Sequence, residues 1–279
     1  MRSMSRVAGV SLVLLSLGAA VRAEVVNCTD VPSLPFVITA PGVYCLKASL
    51  DYASGSGIAL MIAADDVVLD MNDHVIDGSA GGLSTNAYGI LSSDRTNVTV
   101  RNGTVRGFNT GVQLGGRNPQ NNIAEHLRVD HSTGYGLVVR GQGSVARFNV
   151  VTRTGGIADG LAIGLYGLGD GVHVVDNEVV GTVEGAGGQA MGIRIDSGTG
   201  AVVERNVVSN AAFGPTDSYG IRLSQSSPRA SIVGNRVVNF RNGIFFTFGG
   251  SGVYRDNTVG GATVPFTGGT AAGATNFTF

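Results

Sequence analysis

Charge is scarce in this sequence. Lys, Arg, Asp and Glu make up 14% of its 279 residues, and the formal net charge is −1. There is no basic excess and no basic run, so the electrostatic footprint of a nucleic-acid binder is missing. Long apolar runs are scarce too, and the one at the start is built like a secretory signal. In "MRSMSRVAGVSLVLLSLGAAVRA", Arg2 and Arg6 form a charged start, Val7 to Ala20 an apolar centre, and Val21-Arg22-Ala23 a small-residue exit. The apolar part is shorter than the ~18–20 residues of a membrane span. The pattern predicts a signal peptide over 1–23, cut after Ala23, and a secreted or periplasmic mature chain with no membrane span. Cysteine is limited to Cys28 and Cys45. They have no CxxC spacing and no histidine nearby, so in an exported chain the pair reads as one disulfide. Sustained helical periodicity is absent, and the abundance of Val, Thr, Asn and Gly opposes helix.

What is abundant is glycine, 44 residues, together with a repeat. A Gly followed by an apolar–x–apolar strand recurs as "GIALM" at 57, "GILSS" at 89, "GVQLG" at 111 and "GLVVR" at 136. It returns as "GLAIG" at 160 (or "GLYGL" at 164), "GIRID" at 192, "GIRLS" at 220 and "GIFFT" at 243. Thirteen to fifteen residues after each comes an Asn flanked by apolar pairs: Asn72, Asn102, Asn149, Asn177, Asn206, Asn235 and Asn257. In the copy between 102 and 149, Glu125 or His126 replaces it. Each unit holds about three short strands joined by Gly, Asn, Ser and Asp turns. Repeated units of this kind are the rungs of a parallel β-helix. Stacked at the strand spacing of ~4.8 Å, eight rungs make a rod of about 40 Å. The Asn is expected to take the left-handed conformation at a sharp turn and bond the Asn of the next rung. The glycine before each strand is expected to supply a positive φ.

The "GIxL … VxxN" units, over roughly 57–262, resemble the right-handed parallel β-helix superfamily that contains pectate lyases, polygalacturonases, alginate epimerases and NosD-like periplasmic proteins. The opening "LPFVITAPGVYCLKASL" followed by "ADDVVLDMNDHVIDG" is similar to the start of many secreted members. The resulting division is a signal peptide over 1–23, an N-terminal cap over 24–56 pinned by the disulfide, the β-helix over 57–262, and a C-terminal cap or tail over 263–279. The tail has few periodic apolar positions and is expected to fall short of a full rung.

The resemblance implies carbohydrate along the first strand of each rung, the "GIxL" segments. Alternation puts Ile193, Ile195, Ile221 and Leu223 inside. The first outward row then reads Ala59, Leu91, Gln113, Val138, Ala162, Arg194, Arg222, Phe245. The second reads Met61, Ser93, Gly115, Arg140, Gly164, Asp196, Ser224, Thr247. Arg194 and Arg222, one rung apart, repel unless an anion lies between them, and a uronate carboxylate fits paired N–H donors. The candidate catalytic residues are Asp196, as general acid or base, with Arg194 and Arg222. The candidate substrate contacts are Arg140, Gln113, Tyr219 and an exposed Phe245, with Phe213 and Asp217 on the adjoining loop. The alternative is a set of solvated charges in which Asp196 only neutralises an arginine.

Enzyme signatures are missing. Paired aspartates with a Gly-His-Gly segment are not found, nor is the epimerase-like "DPH". "LRVDHSTGYGL" at 127–137 resembles the pectate lyase "WIDH" region, with Asp130 and His131 in place but without the Trp. Calcium stays open through the acidic run Asp65, Asp66, Asp70, Asp73 and Asp77, although its spacing fits no known loop. His74, His126, His131 and His173 are scattered over different rungs, which gives copper no cluster. No cofactor is firmly implied. The sequence therefore predicts a protein that binds an acidic polysaccharide, with cleavage or epimerisation left open. The alternative is a non-catalytic NosD-like scaffold that binds a protein partner or a metal.

Overall fold

The computed structural model describes residues 27–279, apart from 117–118, 158–159, 213–216, 225–226 and 248–250. The predicted signal peptide and Phe213 lie outside the described residues. The chain is an all-β parallel β-helix of about eight turns, flanked at each end by a shorter one. One wall is a ten-stranded sheet that takes the first strand of every turn, from Phe36–Ile38 to Val264–Thr267. The other two walls merge into a nineteen-stranded sheet. Gln189–Asp196, Val202–Glu204 and Val207–Ser209 form one turn, and each pairs in parallel with its counterpart in the next. β-branched and apolar side chains fill the lumen. Ile193, Ile195, Ile221 and Leu223 are fully buried in it.

The glycine of each first strand has a different cause from the one the sequence implied. Gly57 does have a positive φ, +90°. Gly89, Gly111, Gly136, Gly164, Gly192, Gly220 and Gly243 do not. There the requirement is space. A Cβ on Gly220 would sit 2.1 Å from Val237 Cγ1 and 2.8 Å from the carbonyl oxygen of Gly243. The other six meet a valine methyl and a backbone oxygen of the next turn in the same way.

The Asn ladder also differs in detail. Asn149, Asn177, Asn206, Asn235, Asn257 and then Asn276 form a continuous stack. Each Oδ1 accepts the backbone N–H and the Nδ2 of the preceding Asn, as between Asn177 and Asn206 at 2.9 and 3.0 Å. The left-handed residue is the one just before: Phe148, Asp176, Arg205, Gly234 and Asp256, with φ between +52° and +65°. Turning and stacking are thus divided between neighbours, because an Asn aimed into the rod cannot also be the exposed corner. Asn72 and Asn102 are themselves left-handed, at +46° and +56°. Asn102 and His126 take the corners of two successive turns, and Gly103 and Leu127 take the stacking place beside them. Leu127 there donates its N–H to Asn149 Oδ1.

Both ends carry more strand pairing than the side-chain pattern shows. Residues 36–51 form a first turn that pairs with the second at Leu60–Ile62, Val67–Asp70 and Ile76–Asp77. Cys28 and Cys45 are disulfide-bonded, and the adjoining Thr29–Asp30 strand pairs with Tyr44–Cys45. The tail adds three short strands, Val264–Thr267, Thr270–Ala271 and Phe277–Thr278, in register with the last full turn. These pairings are made by the backbone, which needs no apolar periodicity. The tail is therefore a last turn, and the boundaries at 56/57 and 262/263 mark no break in the stacking.

Candidate binding face

The ten-stranded wall places one outward row in register: Met61, Leu91, Gln113, Val138, Tyr166, Arg194, Arg222 and Phe245. Met61 and Tyr166 replace the expected Ala59 and Ala162. Ala59 occupies the glycine place of its turn, opposite the Tyr88–Ile90 segment, and is fully buried. The strand Leu161–Leu168 begins just after Gly160 and contains Gly164, which sets the frame because a Cβ there would meet Val179 Cγ1 at 2.4 Å. In the second row, Leu168 stands between Arg140 and Asp196 where Gly164 was expected.

Tyr166 organises this face. Its hydroxyl donates to Asp196 Oδ2 at 3.0 Å, and its ring lies beneath two guanidinium groups, Arg194 at 5.3 Å and Arg140 at 5.7 Å. Arg194 donates to the same Asp196 oxygen through Nε at 2.7 Å and Nη2 at 2.5 Å. Burial pushes the Tyr166 hydroxyl up to about 12, reinforced by the Asp196 charge. It is a proton donor at any physiological pH. Burial opposes the charge on Arg194, and the bonds to Asp196 more than restore it, so its pKa rises.

Arg222 turns the other way. It lies over the Tyr219 ring at 5.1 Å and reaches Met191 Sδ at 3.6 Å. Tyr219 packs edge-on against Phe245 at 5.2 Å, which leaves Phe245 half-buried rather than exposed. The Tyr219 hydroxyl, raised by burial and by Asp217, donates to Asp217 at 3.3 Å. The repulsion expected between Arg194 and Arg222 is thus relieved within the protein: one is neutralised by Asp196 and the other diverges onto an aromatic ring. Among the described residues no carboxylate pairs with Arg140 or Arg222, and the buried Arg140 Nε has no hydrogen-bond partner. Along the rod axis they stand three turn spacings apart, about 14 Å, in adjacent outward rows. Gln113 sits two turns before Tyr166, beyond the buried Val138. Tyr166 was missed in the sequence because only the second of two competing glycine frames places it beside Arg194.

Asp130 and His131 lie on another wall. Burial pushes the Asp130 carboxyl up. Bonds from Arg153 (2.8 and 2.5 Å), Thr152 (2.6 Å) and His131 (2.9 Å) outweigh this and bring it down to about 2. So many donors leave it little capacity as a base. A carboxyl with a lowered folded-state pKa stabilises the fold above its usual value near 4, and that contribution is lost as pH falls towards 2. Thermal melts should therefore show stability declining between pH 4 and 2, and Asp130→Asn should flatten that part of the profile. An unchanged profile in the variant would mean that other carboxylates cause the decline.

The acidic run is dispersed. Asp70 receives Arg101 and Asn102, Asp77 receives Arg106, and Asp65 accepts the Thr96 N–H. Among the described residues no group of three or more His, Cys, Asp or Glu side chains is close enough to hold a metal ion. No described helix is long and apolar enough to cross a membrane.

No protein-family model and no curated protein sequence matches the chain. Solved structures do resemble it in fold. The Dettilon tailspike protein superposes with a TM-score of 0.57 at 13% identity, over 90% of this chain and 60% of that one. The enzymatically active domain of bacteriophage CBA120 tailspike protein 2 gives 0.51 at 15% identity, over 87% of this chain and 41% of that one. The chain thus spans less than two thirds of either structure. At these identities the likeness is one of fold: all are parallel β-helices.

Proposed function

We propose that the ten-stranded wall binds an acidic polysaccharide. The observation that carries this reading is the pair Arg140 and Arg222, two guanidinium groups without carboxylate partners among the described residues, each backed by a tyrosine ring. Between them lies the charge-balanced Arg194–Asp196–Tyr166 cluster. Guanidinium groups at an interval along a parallel wall suit carboxylates repeated along a polymer, through paired N–H donors. Tyr219 and Phe245 add apolar area against sugar faces. In this reading Asp196 is a positioning residue: its Oδ2 holds both Arg194 and Tyr166. The disulfide and the predicted signal both support action outside the cytoplasm.

Affinity electrophoresis in gels containing polygalacturonate or alginate tests the reading. The native chain should be retarded, and added salt should weaken the effect. Arg140→Ala and Arg222→Ala should each weaken binding about tenfold, as expected for a lost charge-assisted contact of ~1.5 kcal/mol. If the double variant migrates like the native chain, or if no polyuronate retards it, the reading is wrong.

A further inference from the structure

The nineteen-stranded wall carries a feature that the acidic-polymer reading does not use. Phe148, between the strands Val145–Arg147 and Val150–Gly155, is 48% exposed and has a φ of +55°. A bulky residue in the left-handed region is an outlier, and such strain persists where the rest of the structure imposes it, often at functional places. The same corner is filled by Asn102, Asp176, Gly234 and Asp256 in other turns, residue types that accept this conformation readily, and by the bulkier but polar His126 and Arg205; Phe148 is the apolar one. One face of the Phe148 ring stacks on His126, with centroids 5.3 Å apart and an interplanar angle of 11°. The side towards the next turn borders a concavity of about 540 Å³ lined by Asp176, Glu178, Arg205 and Val207. Arg205 donates twice to Asp176 there, at 2.8 and 2.9 Å, and through its other terminal nitrogen to Glu204.

We propose that Phe148 is the platform of a second saccharide site, one that takes neutral sugar rings. An aromatic face offers stacking area to the C–H face of a sugar. The adjoining Asp176–Arg205 pair offers acceptors and donors side by side, which matches hydroxyl groups that do both. Because Asp176 and Glu204 together more than neutralise Arg205, and Glu178 adds a further negative charge, the place does not favour a polyanion. A peptide adding as a strand would need a free sheet edge, and the strands on both sides of Phe148 are paired with the turns before and after. The site is independent of Arg140 and Arg222.

The test is affinity electrophoresis of the full chain in gels of galactomannan, xyloglucan and dextran, alongside thermal melts. At least one gel should retard the native chain. Phe148→Asn should weaken that retardation about tenfold, the factor of a ~1.4 kcal/mol contact. It should also hold Tm or raise it by about 2–4 °C, since Asn suits the corner better. Phe148→Tyr should keep the binding, and Arg222→Ala should leave it unchanged. No retardation in any gel overturns the proposal, as does full retardation of Phe148→Asn. A lower Tm for Phe148→Asn also overturns it, because the ring would then serve as a structural clamp on His126.

Discussion

Replacing Asn206 by alanine is expected to destabilise the protein by about 3 kcal/mol. Its side chain makes four buried hydrogen bonds of ~1 kcal/mol each, and only Asn177 Nδ2 keeps other acceptors, the Ala146 and Val175 carbonyls. The backbone N–H and the Nδ2 of Asn177 both donate to Asn206 Oδ1, at 2.9 and 3.0 Å. The Val174 carbonyl accepts from Asn206 Nδ2 at 2.8 Å. Asn206 is fully buried, so the vacated space lies inside the stack. For a chain of this size the loss corresponds to a fall in Tm of about 6–12 °C. Asn206→Asp should do no better, since it removes both donors and adds a buried charge. A Tm change under about 3 °C would mean that water replaces the amide at little cost, and the stack would then be a by-product of the turn.

Asp196→Asn is expected to separate two roles for this carboxylate. The side chain is 11% exposed, and it neutralises Arg194, which is 26% exposed. Asparagine keeps the shape and loses the charge, leaving Arg194 as a third unpaired cation between Arg140 and Arg222. Removing one partner of a buried pair is strongly destabilising, but partial exposure of Arg194 screens the effect to about 1–2 kcal/mol. Binding to polygalacturonate or alginate should become tighter, by about tenfold, and more sensitive to salt. The acid–base alternative predicts the reverse: unchanged affinity, with loss of any products seen by mass spectrometry from the native chain. Products that vanish in Asp196→Asn at unchanged affinity would restore Asp196 as the catalytic group.

The turn-by-turn repeat was legible because stacking imposes the same demand at the same place in every turn. Ile193, Ile195, Ile221 and Leu223 face the lumen as alternation requires. Identity at a position did not reveal its cause. In the sequence the strand glycines suggest a demand for positive φ; in the structure they answer to the valine methyls packed against them. The recurring Asn was assigned both turning and stacking, which fall on successive residues. Where two glycines compete, at 160 and 164, only packing against Val179 selects the frame, and with it the place of Tyr166. Side-chain direction was out of reach altogether. Arg194 and Arg222 are paired in register, yet one bends to Asp196 and the other to Tyr219.

The bonds that join one turn to the next along the Asn stack connect residues 19 to 29 positions apart. Spread over the whole chain, this is a relative contact order of roughly 0.1, closer to helical bundles than to β-sandwiches. No strand has to wait for a distant segment of the chain to find it. A pair of turns formed anywhere can serve as the nucleus, and each later turn closes a loop of the same modest length onto a finished template. Folding should therefore advance like a zipper from the most apolar middle turns, and the short outermost turns should be the last to order and the first to open.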